Sequence, residues 1–157
     1  MKPANLKVKT RLEHYGFEFK ITILPNAVRT AVLAAEALEC DVGQIANSLI
    51  FRDKVSAQAV LVMCAGDRRV DLKKVKLATS IELGKADADF VRQQTGFAIG
   101  GVPPVAHANP LRTILDASLQ RHAVIWAAAG TPESIFCMSP RQLQLITAGD
   151  WLDIAQS

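Results

Sequence analysis

The segment Ala59–Cys64 (AVLVMC) holds six apolar residues without a polar break. A bilayer crossing needs about 20 such residues, so this run has to be covered by protein. A strand that is apolar at every position is buried on both faces, which places it in the middle of a sheet. The rest of the chain must therefore supply neighbouring strands and helices for two covered faces.

Those elements can be read in order. Leu6–His14 reads as a helix ending at Gly16, and Phe17–Thr22 alternates apolar and polar residues like a half-buried strand. An alanine-rich helix is expected over Ala27–Leu38, with Val28, Ala31, Val32, Ala35 and Leu38 facing a core. Gln44–Arg52 is expected as a strand, and Gly66-Asp67 as a hairpin turn into a strand at Arg68–Val70. Asp71 suits the N-cap of a helix over Leu72–Leu77. A short strand at Ser80–Leu83 and a helix at Ala86–Gln94 follow. Strands at Arg112–Asp116, Ala123–Ala128 and Ser134–Met138 come next. Ser139-Pro140 opens a last helix over Arg141–Thr147, Gly149 stops it, and Trp151–Ile154 is a final strand. The order is not a regular βαβ alternation. The expected class is α/β (α+β), a mixed, partly barrel-like sheet with helices packed outside.

At 157 residues the expectation is a single domain over 1–157, large enough for a real core. The N-terminal stretch lacks a hydrophobic signal core, and no run is long enough for a membrane, so a cytoplasmic protein is the expected class. Cys40, Cys64 and Cys137 lie far apart with no CxxC pair, which argues against zinc and against a disulfide framework. A net charge of +3 excludes a nucleic-acid binder held by bulk charge alone. The cations cluster, however, at Lys2, Lys7, Lys9 and Arg11 and again at Arg68, Arg69, Lys73, Lys74 and Lys76. Such clusters are either solvated faces or patches for a polyanion.

The most specialised stretch is Thr95–Pro110 (TGFAIGGVPPVAHANP), with three of the nine glycines and three of the seven prolines. Paired glycines allow close approach of a backbone, and paired prolines fix the path that follows. This is either a tight turn between strands or a cradle of N–H groups for an oxyanion, carboxylate or phosphate. His107 is the histidine beside it. A Ser/His/Asp set of Ser118, His107 and Asp116 has no nucleophile elbow to support it. GxGxxG and P-loop patterns are absent, which sets aside dinucleotide binding and NTP hydrolysis.

The order QIANSLIF, VLVMCAGDRRVDLKKV and TGFAIGGVPPVAH, with an aspartate-bearing strand after it, resembles the YbaK/prolyl-tRNA editing domain family. The similarity runs from about Ala27 to Ile154, and Gly100–Pro104 matches the family's GxxxP loop. The resemblance implies a trans-acting deacylase without metal or cofactor. It would hydrolyse the ester of mischarged aminoacyl-tRNA, tRNA for proline carrying a small non-cognate amino acid. Gly100 and Gly101 would polarise the ester carbonyl, while Ser48, Val102, Pro103, Pro104, His107 and Gly130 would bind substrate. The basic clusters would meet the tRNA acceptor end. Prolyl-tRNA synthetase or an elongation factor would be the protein partners.

Two departures stand out. Where the family carries a lysine on the strand matching QIANSLIF, this chain has Asn47, and Ala106 replaces a glycine before the histidine. An asparagine brings no charge, and trading a charge-assisted hydrogen bond for a neutral one costs roughly tenfold in binding or rate. Asn47 thus marks an engineered change, a paralogue of altered specificity, or a non-catalytic aminoacyl-tRNA binding module.

Overall fold

The computed structural model describes residues 1–25 and 30–157. Five α-helices and eight strands occur among them: α1 (Pro3–Glu13), β1 (Ile21–Ile23), α2 (Ala31–Leu38), β2 (Ala46–Asp53), β3 (Ala59–Ala65), α3 (Leu72–Thr79), β4 (Leu83–Gly84), α4 (Ala88–Thr95), β5 (Arg112–Asp116), β6 (Ile125–Ala128), β7 (Ser134–Met138), α5 (Pro140–Thr147) and β8 (Asp150–Leu152). One sheet has the order β4-β2-β3-β5-β8, the other β1-β7-β6. Their strands meet at a parallel bridge between Ile45 and Trp126, so the layer curls into a half-barrel. β2 pairs antiparallel with β3, whereas β3 pairs parallel with β5, and β5 with β8, which makes the sheet mixed as expected.

β3 is central, and every one of its residues is buried. Leu61, Met63 and Ala65 enter the larger core with Val8, Leu12, Phe136 and Leu143. Val60, Val62 and Cys64 point the other way, against Val75, Ile114 and Ile154. The uninterrupted apolar run is the direct consequence of these two covered faces.

Side-chain caps fix several helix starts. Asp71 Oδ1 accepts the N–H groups of Lys73 and Lys74, and Asp87 Oδ1 accepts that of Phe90. Ser139 and Gln142 exchange bonds in a capping box at α5.

Several expectations need correction. Arg68–Val70 forms no strand; only Val70 makes a bridge, to Ala155 near the C-terminus. Phe17 and Phe19 precede the strand, which begins at Ile21; Phe19 instead packs edge-on against Phe136 at 5.6 Å between ring centres. α5 ends at Thr147 and is capped by Ala148, which takes the left-handed conformation (φ 53°), so Gly149 is not the stop. β8 starts one residue earlier than Trp151 and stops at Leu152. Ala27 and Val28 lie outside the described residues, and Val32 is 56% exposed rather than in the core.

Candidate functional site

The glycine–proline segment leaves α4 and returns to it. Thr95, fully buried, is the clasp: its hydroxyl donates to Val91 O at 2.7 Å and accepts the Phe97 N–H at 3.0 Å. Its carbonyl accepts the Ala108 N–H at 2.9 Å, and Gln94 O accepts that of Asn109 at 3.2 Å. Residues 96–107 are therefore a closed loop whose two ends share one helix terminus. Within it Gly101–Val105 are buried, while Ile99 and Gly100 form an exposed tip.

Gly101 is the anchor of that tip. A Cβ there would lie 2.8 Å from Thr131 Cα and 3.0 Å from Gly130 O, so only glycine lets the loop lie flat on the β6–β7 connection. That connection is braced by α1. Asn5, 1% exposed, donates to Ala129 O and to Ser134 Oγ, both at 2.8 Å, and Ser134 Oγ lies 2.6 Å from Thr131 Oγ1. Lys7 Nζ, two residues further along α1, sits 5.8 Å from the centre of the Phe97 ring.

The Gly101 N–H donates to Ala98 O at 3.0 Å and so is already engaged. The N–H groups of Ile99, Gly100 and Val102 find no acceptor among the described residues, and neither do those of Ala98, Val105, Ala106 and His107 in the same loop. Pro103 and Pro104 have no N–H to offer. Of these free donors, those of Ile99 and Gly100 lie on the exposed tip, facing the cavities.

Two cavities meet at this tip. The larger, about 500 Å³, is walled by Asn47 and Ser48 of β2, Gly100, Val32 and Ala34 of α2, and Trp126 of β6. The smaller, about 260 Å³, is lined by Ile50, Phe51, Val91, Val102 and Lys85. Ser48, Leu49, Ile99 and Gly100 belong to both and form the wall between them. Val32, Leu49 and Ile99 are large apolar side chains left exposed at 56%, 36% and 57%, and all three face this site. Apolar surface gathered around an open cavity is what a ligand would cover.

The structure thus brings Asn47, Ser48 and Gly100 together, with Val102 in the adjoining cavity. Other candidate residues stand apart. His107 lines neither cavity; its Nε2 is 2.6 Å from the Pro103 carbonyl, and it faces α1. Burial pushes its pKa below the ordinary 6.5, partly offset by that carbonyl. The neutral ring with a proton on Nε2 is the form that donates to Pro103. Pro103 and Pro104 are buried behind the tip, and Gly130, packed against Ala4, supports Gly101 from below.

No charged side chain lines the larger cavity among the described residues. Lys54 is not in either wall, whereas Lys85 rims the smaller one. Lys85, Ile99 and Trp126 were not singled out from the sequence. Ile99 could have been, since it lies in the same loop; Lys85 and Trp126 arrive only through the fold.

Candidate nucleophiles are occupied or inert. The Ser48 hydroxyl donates to Met63 Sδ at 3.3 Å. Ser118 Oγ donates to the buried Asp116 carboxylate at 2.7 Å, and His107 is bonded elsewhere, so these three form no triad. The Cys64 thiol is pushed up to about 12 by burial, reinforced by the adjacent Asp116.

The sequence and fold are similar to those of known proteins. Residues 25–146 match the model of the aminoacyl-tRNA editing domain. A crystal structure of a candidate trans-editing enzyme for prolyl tRNA synthetase is 39% identical with a TM-score of 0.93, covering 100% of this chain and 99% of the other. A structure from work on grafting epitopes onto scaffold proteins is 37% identical, again with a TM-score of 0.93 and full coverage of both chains. The uncharacterized protein YwhH of Bacillus subtilis (strain 168) is 29% identical over 150 residues, 95% of each chain. The chain belongs to the aminoacyl-tRNA editing domain family, a family whose activity is the deacylation of aminoacyl-tRNA.

Proposed function

We propose that this chain acts in trans, hydrolysing the ester of mischarged aminoacyl-tRNA, with tRNA for proline carrying a small non-cognate amino acid as its substrate. The observation that carries the reading is the wall of Ser48, Leu49, Ile99 and Gly100 shared by two unequal cavities. An aminoacyl ester joins two unequal groups. The terminal adenosine fits the larger compartment, where Trp126 and Ile135 offer apolar surface for a base. The amino-acid side chain fits the smaller, mainly apolar one. The scissile carbonyl then lies at the tip, within reach of the free N–H of Gly100 and, deeper, of Val102. Donors of this kind stabilise the developing oxyanion, and removing one costs on the order of 10²–10³ in rate. Water is the attacking group. Asn47 orients the 3′ end by hydrogen bonding, and Gly101, with its N–H engaged by Ala98 O, shapes the tip. Loop closure by His107 and Thr95 keeps the donors fixed. Prolyl-tRNA synthetase or an elongation factor is the proposed protein partner in the cytoplasm, and residues 1–157 are proposed to act as one domain.

A second reading is favoured by the lining of the larger cavity, which is uncharged among the described residues: a module that binds aminoacyl-tRNA without turning it over. Deacylation assays on a panel of mischarged tRNAs, with the chain and with Asn47→Lys, separate the two. Hydrolysis by the chain, strengthened by Asn47→Lys, supports editing. Turnover only in Asn47→Lys identifies a disabled editing site. Binding without turnover in both leaves the binding module.

A further inference from the structure

The turn after β3 opens a compartment of about 530 Å³ that the catalytic reading does not use, lined by Val32, Gly66, Asp67, Arg68, Arg69 and Gln156. It meets the 500 Å³ cavity at Val32 and Gly66, which line both. The open edge of that junction is Val32, which is 56% exposed. A Cβ on Gly66 would lie 2.6 Å from Ala31 Cβ and equally close to Val42 O, so α2 closes down on bare backbone there.

The turn is rigid. Gly66 N–H donates to Ile45 O at 2.8 Å, Arg68 N–H to Ala65 O at 3.0 Å, and Gln156 N–H to Arg69 O at 2.8 Å. Asp67 is held by Arg121 at 3.0 Å, and that guanidinium keeps its carboxyl below the usual carboxylate range. The local acid is thereby neutralised. Arg68 and Arg69 are exposed, and among the described residues neither side chain makes an ion pair or hydrogen bond. Two unpaired guanidinium groups on a fixed turn, at the outlet of a nucleoside-sized cavity, match a pair of consecutive phosphates. Guanidinium is the side chain best shaped for that anion.

We propose that Arg68 and Arg69 bind the two phosphodiesters that join the last three nucleotides of the tRNA 3′ end, guiding that strand past Val32 into the larger cavity. This rests on the placement of the terminal adenosine in that cavity. It makes the turn a positioning device for single-stranded nucleic acid, independent of base identity.

Calorimetric titration with adenosine and with the trinucleotide CpCpA, over a series of NaCl concentrations, tests the proposal. The trinucleotide is expected to bind roughly tenfold or more tightly than adenosine. Its log K should fall with log[NaCl] at a slope of about −1.4, for two phosphates on a single strand. Arg68→Gln/Arg69→Gln should bring CpCpA to the affinity of adenosine and flatten that slope, with an unchanged melting temperature. Arg68→Lys/Arg69→Lys should retain the slope. Equal binding of the two probes by the wild-type chain, no binding of either, or an unchanged slope in the glutamine variant overturns it. The editing reading fails separately: tighter CpCpA binding with no deacylation of any mischarged tRNA leaves the phosphate site and removes the activity. Deacylation without a CpCpA preference does the reverse.

Discussion

His107 holds the carbonyl of Pro103 through Nε2 at 2.6 Å, four residues back along the same loop. A histidine beside a site is readily taken for an acid or base. This one is a strut, and the segment it closes carries the free N–H groups of the tip.

Its protonation should be visible in stability. Because burial depresses the folded-state pKa below the ordinary 6.5, the folded protein binds fewer protons than the unfolded chain as pH falls past that value. Stability is full above about pH 6.5 and declines as pH drops towards the folded pKa. Urea midpoints measured between about pH 7 and 5, above the range where carboxylates titrate, should fall in the wild type. The decline should be shallower in His107→Gln; parallel profiles would remove the role given to this ring.

Ala106 adopts φ 68°, a left-handed conformation in which a Cβ costs about 1–2 kcal/mol. Glycine relieves that strain but gives back part of it as unfolded-state entropy. Ala106→Gly should therefore stabilise by about 0.5–1 kcal/mol, read as a higher urea midpoint at constant m-value. A lower midpoint would show that the methyl group, which lines the groove against α1, contributes more by packing than it costs in backbone strain.

Gly101→Ala should be the most damaging single change in the loop. Its methyl would press on the backbone of Thr131 and Gly130, which no rotamer change can relieve. A loss of about 1–3 kcal/mol is expected. Deacylation should fall further than the folded fraction does, because the tip carrying the Gly100 N–H is displaced. Activity that simply tracks the folded fraction would contradict the anchoring role.

Asn5→Ala tests the brace beneath. It strips one partner from each of two buried acceptors, Ala129 O and Ser134 Oγ, at a cost of about 1–3 kcal/mol. Amide exchange should quicken at Thr131 and Ser134, whose N–H groups bond to Ser134 Oγ and Thr131 O in this connection. Exchange that stays at the wild-type rate would place the support of the loop elsewhere.

Much of the fold was legible because its signals are local. The apolar run of β3 announces two covered faces, and Asp71 and Ser139 mark helix starts with their own side chains. The failures share a different cause. Val32 reads as a core residue because it is apolar at helical spacing, yet what it faces is an open cavity. Arg68–Val70 reads as the second arm of a hairpin, but the backbone partner of that stretch is the segment around Ala155, far away in sequence. At the site, the glycine–proline loop was conspicuous. Which of its N–H groups are free depends on the Gly101–Ala98 turn, and no residue type encodes that. Asn5 gave no sign of its buried bracing role, since it is a polar residue on an otherwise solvated helix terminus.

The wall of Ser48, Leu49, Ile99 and Gly100 has a consequence for how such a protein diversifies. Trp126 and Ile135 border one chamber alone, and Phe51 and Val91 border the other alone. Substitutions at Phe51 or Val91 therefore reshape the smaller chamber while leaving the larger untouched, and the converse holds for Trp126 and Ile135. A change in the partition itself is felt on both sides at once. The two rooms can be altered one at a time, and the door between them cannot.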